Sequence, residues 1–119
     1  MRGVLADAWL NINRATDANL MHIHDPELWS AVYFVSSGGV TAGSKPAGHL
    51  VFRGGRNSLK AAYPSHSFLA VPPQPGTLWL FPGSVPHCVL PFASRTNASR
   101  VSVAINFLED TPPPPVYVP

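Results

Sequence analysis

Apolar and polar residues alternate along several short stretches of this chain, and a period of two predicts β-strands. In residues 5–13, small or aliphatic residues after Asp7 alternate with Trp9, Asn11 and Asn13. A strand with this pattern has one face against a core and the other face in a different environment. We therefore expect a half-buried strand over residues 5–13.

Other strands are predicted where β-branched and aromatic residues cluster between turn signals. They cover residues 28–35, 48–52, 68–71, 77–81, 85–90 and 100–108, and a short extended piece ends at His22 to His24. No segment has a sustained helical period, and prolines interrupt most windows. The chain is therefore predicted to be all-β, a jelly roll (double-stranded β-helix, cupin-like) with little or no helix. Such a fold brings ligands from distant strands together at one open end.

The 119 residues are predicted to form one domain over residues 1–110, with a Pro-rich tail at 111–119 outside the core. Charged residues make up only 12% of the chain, and its net charge of +2 comes from scattered basic side chains. This distribution gives no footprint for nucleic acid. The single cysteine, Cys88, allows no intrachain disulfide. With no membrane-length apolar run and no signal-peptide pattern, a cytoplasmic location away from membranes is expected.

Two histidines separated by one residue, His22 and His24, are the densest group of potential metal ligands. Residues i and i+2 of a strand point to the same face, so both imidazoles could bind one metal ion. His87, after the turn that follows residues 77–81, is the third candidate. A lone His-x-His pair is more often structural than metal-binding, so this interpretation depends on what the last strand contributes.

The last predicted strand, 100–108, carries Arg100 and Ser102 on the face opposite its apolar residues. One interpretation places this face in water. The other places it inside a barrel, where the guanidinium needs a partner because an unpaired buried charge is costly. A guanidinium binds a carboxylate through two parallel hydrogen bonds, and a hydroxyl two residues along can add another. Arg100 with Ser102 is thus a candidate carboxylate clamp.

Several segments in this order resemble the 2-oxoglutarate/Fe(II) oxygenases of the double-stranded β-helix superfamily, in a branch with a His-x-His motif. The resemblance spans residues 8–107. The segments that carry it are Trp9 to Asn13, His22 to His24, Trp29 to Val35, Gly48 to Arg56, Gly76 to Pro82 leading to His87, and Arg100 to Asn106.

The resemblance implies a mononuclear Fe(II) centre in which His22 and His87 occupy the two histidine positions. The superfamily usually has Asp or Glu two residues after the first histidine, whereas this chain has His24. His24 is therefore the expected third ligand, and Asp25 is the fallback carboxylate. Three neutral imidazoles would leave the iron more positive than the usual set.

The resemblance also implies that Arg100 holds the distal carboxylate of 2-oxoglutarate, with Ser102 in support. Tyr33, on a neighbouring strand, is a further candidate for this carboxylate, and an ordinary core aromatic is its alternative. The implied reaction uses O2 to hydroxylate a substrate and releases succinate and CO2. No catalytic residue is expected beyond the metal centre.

Two alternatives remain open at this point. A small metal-binding cupin would share the fold, with Gly76, Pro82 and His87 at matching spacing and Glu27 as a nearby carboxylate. Arg100 discriminates between the two, because a cupin has no need for an arginine clamp. The second alternative is a non-catalytic β-sandwich binding module. The N-terminal helical support of the family is not expected in residues 1–119, and a partner copy could then cover the open sheet edges in a homodimer.

The pattern does not identify the prime substrate, for which a small molecule or a peptide is expected. The two long predicted loops, 36–48 and 54–67, are expected to shape its pocket. His49 and His66 carry no expected ligand role. Cys88 directly follows His87 in a strand, so its side chain should face away from the metal.

Overall fold

A computed structural model describes residues 3–25, 28–54, 68–93 and 97–109. Eight β-strands account for most of this part of the chain, with one 3₁₀ turn at Ala42–Ser44. The strands are β1 Gly3–Asn13, β2 Asn19–His22, β3 Trp29–Ser37, β4 Leu50–Arg53, β5 Phe68–Val71, β6 Leu78–Pro82, β7 His87–Val89 and β8 Arg100–Glu109. Among the described residues, no helix has the length and apolar character needed to cross a membrane.

The strands form two four-stranded sheets in the orders β1-β8-β3-β6 and β2-β7-β4-β5. All the pairings are antiparallel, and successive strands alternate between the two sheets except for β4 and β5, which pair with each other. This is the double-stranded β-helix predicted from the sequence. Its core lies between the sheets around Phe34, Leu50, Phe52, Val71 and Phe81.

The inner face of the first sheet is polar on β1 and β8, although both strands have an apolar face available. Leu10 and Ile12 point outward and are more than half exposed, whereas Asn13 is buried. On β8, Arg100 and Ser102 are buried almost completely. Of the two interpretations of β8, the one that places its polar face inside the barrel is therefore correct. The polar face of β1 also points inward, because β1 pairs with β8.

The predicted strands agree with the observed ones to within about two residues, with one exception. The extended piece predicted to end at His22 to His24 is β2, which ends at His22, so His24 lies beyond the strand. The reason is a change of partner: the His24 N–H donates to the Gly83 carbonyl rather than to the β7 ladder. Most of the predicted loop 54–67 and the whole of tail 111–119 lie outside the described residues.

Candidate metal centre and adjoining pocket

Three histidine side chains converge at the open end of the sandwich. Their potential ligand nitrogens, one each from His22, His24 and His87, all lie within 4.8 Å of one another. The ring centroids are 4.3 Å apart for His22 and His87, and 5.1 Å apart for each of the other two pairs. The structure thus brings together the three histidines predicted from spacing.

The β2–β7 pairing explains why residues so far apart in the chain meet here. His22 and His87 are direct cross-strand partners, and directly opposed residues of an antiparallel pair share a face. The turn after β6 then fixes His24, because Gly83 accepts the His24 backbone N–H at 2.8 Å. Gly83 also donates its own N–H to the Leu28 carbonyl at 2.9 Å. One turn therefore holds both ends of the segment that carries His24.

Two of the histidines are oriented so that one ring nitrogen remains available for a metal. Nδ1 of His22 lies 2.6 Å from the Leu20 carbonyl, and Nδ1 of His87 lies 3.0 Å from the Val85 carbonyl. A carbonyl can only accept, so both Nδ1 atoms carry the proton and each Nε2 keeps its lone pair. This is the usual second-sphere arrangement of metal-binding histidines.

His24 has a side-chain partner instead. Its Nδ1 lies 3.5 Å from the amide nitrogen of Asn106, and the Asn106 oxygen accepts a hydrogen bond from the Ser30 hydroxyl at 2.7 Å. An amide can present its oxygen or its NH₂ group from the same position. With the oxygen turned toward His24, Asn106 accepts a hydrogen bond from the Nδ1–H group and leaves Nε2 free. Trp9 packs against the same imidazole, with ring centroids 5.8 Å apart.

The electrostatics of the group favour neutral imidazoles, which are the form that binds metal ions. Burial lowers the pKa of His87 to about 4; the Val85 carbonyl opposes this shift, while His22 and His24 add to it. Burial also lowers the pKa of His24, with a further contribution from His22 and an opposing one from Asp7. His24 and His87 are therefore uncharged at neutral pH.

A pocket leads from the three histidines into the space between the sheets, with an empty volume of ≈ 440 Å³ including its mouth. Its polar lining continues along the inner faces of β1 and β8. Apolar side chains form the remaining wall. The polar lining residues beyond the histidines are Asn11, Asn19, Ser30, Ser102 and Asn106, and the apolar wall includes Val32, Leu50, Phe81 and Val89.

Arg100 is fully buried on β8, two residues before Ser102, which lines the pocket; Arg100 itself is not among the lining residues. Its Nε donates to the Gly48 carbonyl at 3.0 Å, but its two terminal nitrogens have no hydrogen-bond partner in the described structure. The guanidinium carbon lies 5.3 Å from the Phe34 ring centroid, and Phe34 is the cross-strand partner of Ser102, which lines the pocket. Burial lowers the pKa of Arg100 to about 10, so it remains a cation at neutral pH.

The other predicted site residues lie in different surroundings. Ser102 is buried on the inner face of β8, two residues from Arg100 and beside the pocket. Tyr33 is 39% exposed and pairs with Leu78 and Val103 on the outer face of the first sheet. Because strand residues alternate in direction, its hydroxyl points away from the pocket. This geometry argues against the predicted contact, and we leave Tyr33 out of the site.

The remaining candidates are peripheral to the cluster. Asp25 is exposed and is not part of the three-histidine group. His49 is buried, with Nδ1 2.9 Å from the Ala47 carbonyl and no role at the metal end. Cys88 is buried next to His87, and Val51, its partner on β4, lies with it along a groove away from the histidines. Glu27 and His66 lie outside the described residues.

Two amides at the site were missed by the sequence reasoning. Asn106 contacts His24, and Asn13 lies directly opposite Arg100 in the β1–β8 register. The available signal was the alternation itself: Asn106 belongs to the polar face of β8, whose Arg100 was already suspected of facing inward, and Asn13 belongs to the polar face of β1. Extending that suspicion to the whole polar face of β8 would have found Asn106, whereas Asn13 also required the pairing of β1 with β8.

Comparison with known proteins agrees with this geometry. No curated protein matches the chain. A family model described as "Putative 2OG-Fe(II) oxygenase" matches residues 7–106, which include all three histidines, both amides and Arg100. The match covers most of the chain, the fold is consistent with such a domain, and the three histidines could hold a metal ion. The chain therefore belongs to this 2OG-Fe(II) oxygenase family.

Proposed function

We propose that the protein is a non-haem Fe(II)- and 2-oxoglutarate-dependent oxygenase that hydroxylates a small molecule or a peptide and releases succinate and CO2. The observation that carries the proposal is the buried guanidinium of Arg100, whose terminal nitrogens lack partners among the described residues. It lies two residues along β8 from Ser102, which lines the pocket that begins at the three histidines. A dicarboxylic keto acid could bind a metal held by the histidines with its keto acid end and bind Arg100 with its distal carboxylate.

The donor set fits a divalent iron. His22, His24 and His87 would hold it through imidazole nitrogens, and imidazole is a good ligand for Fe(II), as it is for zinc. Three protein ligands leave positions for a chelating cosubstrate and O2. When bound, Fe(II) supplies the O2-dependent oxidation in which 2-oxoglutarate loses CO2 and the substrate gains a hydroxyl group.

The chain's own residues then have separate tasks. Arg100 would bind the distal carboxylate of the cosubstrate, and the Ser102 hydroxyl, on the same face of β8, would add a hydrogen bond. The apolar wall formed by Val32, Leu50 and Val89 excludes water around the chain of the keto acid. The prime substrate would approach from the open end, where Trp9 and His22 are exposed.

The unpartnered arginine also favours this proposal over the cupin alternative, because leaving a buried cation unpaired costs several kcal/mol unless a ligand compensates it. The first test is an anaerobic titration of the Fe(II)-loaded protein with 2-oxoglutarate, followed by visible absorbance. A weak charge-transfer band would place the keto acid on the iron. Iron binding without the band would favour the cupin, and the absence of iron binding would favour a non-catalytic module.

Replacing Arg100 should weaken cosubstrate binding without changing metal binding. We expect Arg100→Ala to weaken 2-oxoglutarate binding by about 2–5 kcal/mol, as for other truncations of a buried charged pair, while iron affinity stays unchanged. Arg100→Lys should restore only part of the affinity, because an ammonium cannot form the two parallel hydrogen bonds. Calorimetric titration of the metal-loaded variants measures both effects. Tyr33→Phe is the matched control and should bind like the wild type; unchanged affinity in Arg100→Ala would remove the clamp.

A further inference from the structure

Asn13 is a buried amide next to Arg100, and both have side-chain atoms without a hydrogen-bond partner among the described residues. Asn13 is only 4% exposed and its Nδ2 donates to Asn19 Oδ1 at 2.9 Å. In the described structure its Oδ1 has no hydrogen bond, and the two terminal nitrogens of Arg100 have none either. A buried acceptor without a partner costs free energy comparable to a lost hydrogen bond. Natural sites keep such groups when a ligand completes them.

The register places Asn13 and the arginine side by side. Asn13 and Arg100 are direct partners in the β1–β8 ladder, so their Cβ atoms share the inner face at about 4.5–5.5 Å. Asn19, the amide's partner, lines the pocket that begins at the histidines. The two asparagines therefore connect the lining of the pocket to the group that would hold the cosubstrate's distal carboxylate.

We propose that Asn13, oriented by Asn19, is a second anchor for that carboxylate and a determinant of selectivity for a dicarboxylic keto acid. The inference rests on the proposed function, because it takes Arg100 as the carboxylate clamp. Turning both amides by half a rotation lets the Asn19 NH₂ donate to Asn13 Oδ1, while the Asn13 NH₂ donates to the carboxylate. Without any change in atom positions, Asn13 Oδ1 then accepts a hydrogen bond from Asn19. The carboxylate accepts hydrogen bonds from the terminal nitrogens of Arg100.

Substitution by Asp gives the sharpest test, because aspartate has the shape of asparagine but brings its own carboxylate to Arg100. In Asn13→Asp, we expect the new carboxylate to form an ion pair with the Arg100 guanidinium, which is then no longer available to the cosubstrate. Cosubstrate affinity should then fall by about 30-fold or more, the equivalent of losing a desolvated charge pair. The melting temperature without ligand should be equal to or higher than that of the wild type. Asn13→Ala should lower the affinity by about tenfold, as for loss of one hydrogen bond to a charged group.

The experiment uses the Mn(II)-loaded full chain and two probes in calorimetric titrations. One is 2-oxoglutarate, and the other is 2-oxopentanoate, which has a methyl group in place of the distal carboxylate. In Asn13→Ala the loss should appear with 2-oxoglutarate and not with 2-oxopentanoate. In the Arg100→Ala background, Asn13→Ala should have little further effect, because the two groups act on one carboxylate.

The possible failures are distinguishable. If Arg100→Ala weakens 2-oxoglutarate binding but Asn13→Ala and Asn13→Asp do not, the Asn13 anchor is wrong and the proposed function stands. If none of the three variants changes the binding, the clamp itself is wrong. If Asn13→Ala weakens both probes equally, Asn13 supports the fold of the pocket rather than the carboxylate, and the selectivity role is excluded. Thermal unfolding of each variant checks that the comparison is between folded proteins.

Discussion

At the scale of single residues, the site depends on amides that orient charged or metal-binding neighbours. Asn106 and Ser30 are linked at 2.7 Å, and Asn106 faces the imidazole of His24. Backbone carbonyls orient the other two histidines, so only His24 relies on a replaceable side chain. This makes Asn106 the position where metal affinity can be changed without touching a ligand.

We expect Asn106→Ala to weaken metal binding by about 10–100-fold, the usual loss for a second-sphere partner of a metal-binding histidine. Asn106→Asp should keep the affinity, because a carboxylate accepts the Nδ1 proton of His24 well. A competition titration with a chromogenic chelator measures the metal affinity without cosubstrate. His87→Ala gives the reference for complete loss, and Asn11→Ala, on the same pocket wall, is the control that should not change. Equal affinity in Asn106→Ala and wild type would contradict the orienting role.

At the scale of elements, the turn between β6 and β7 positions two of the three histidines. It leads directly into His87, and through Gly83 it holds the segment that carries His24. A Cβ on Gly83 would press against the Asp25 carbonyl oxygen and lie 2.9 Å from the Leu28 carbonyl oxygen, which are backbone atoms that cannot rotate away. The close approach of two chain segments therefore requires glycine at this position.

Gly83→Ala should move the His24 segment away from the turn. We expect a loss of about 1–3 kcal/mol in the free energy of unfolding, typical of overpacking, together with weaker metal binding. Gly43→Ala is a matched control, since a Cβ there meets only the Thr41 hydroxyl at 3.7 Å and should be neutral. Denaturant unfolding followed by metal titration tests both effects. A Gly83→Ala protein as stable as the control would show that the turn can relax.

At the scale of the whole molecule, the outer face of the β1-β8-β3-β6 sheet is apolar. Leu10, Tyr33 and Leu78, which lie in one row across the sheet with Val103, are between 39% and 55% exposed. The four strands have between 5 and 11 residues. At about 3.4 Å per residue and about 4.8 Å between strands, they present roughly 600 Å². That is near the area of about 800 Å² per partner in stable interfaces.

We expect a second copy to cover this face in a homodimer, through sheet-on-sheet packing of two apolar surfaces. Leu10→Glu should dissociate the dimer, because it places a charge in the centre of the contact. Leu69→Glu, a similarly exposed leucine on the other sheet, should leave it intact. Light scattering after size exclusion gives the mass of each protein. A wild-type monomer at high micromolar concentration would exclude the dimer.

The sequence predicted the architecture and the group of three histidines, but not the orientation of every face. His22, His24 and His87 were recognisable because their spacing and neighbours carry the resemblance. Asn13 and Asn106 were not, because an asparagine on an alternating strand usually faces water, and only the packing of the two sheets turns this polar face inward. Tyr33 was a candidate contact for the cosubstrate carboxylate, but it lies on the outer face of β3. Neighbouring residues of a strand point in opposite directions, so the sequence alone did not show which face Tyr33 occupies.

The pairing of β2 with β7 has one more consequence. β2 is the edge strand of its sheet, its side chains are mostly exposed, and its ladder is irregular between Asn19 and His22. An ion held by His22 and His87 would fasten this edge strand to its neighbour where backbone pairing is weakest. Metal release would then loosen one side of the sandwich while the other strands stay paired, so local amide exchange along β2 would report the metal content of the protein.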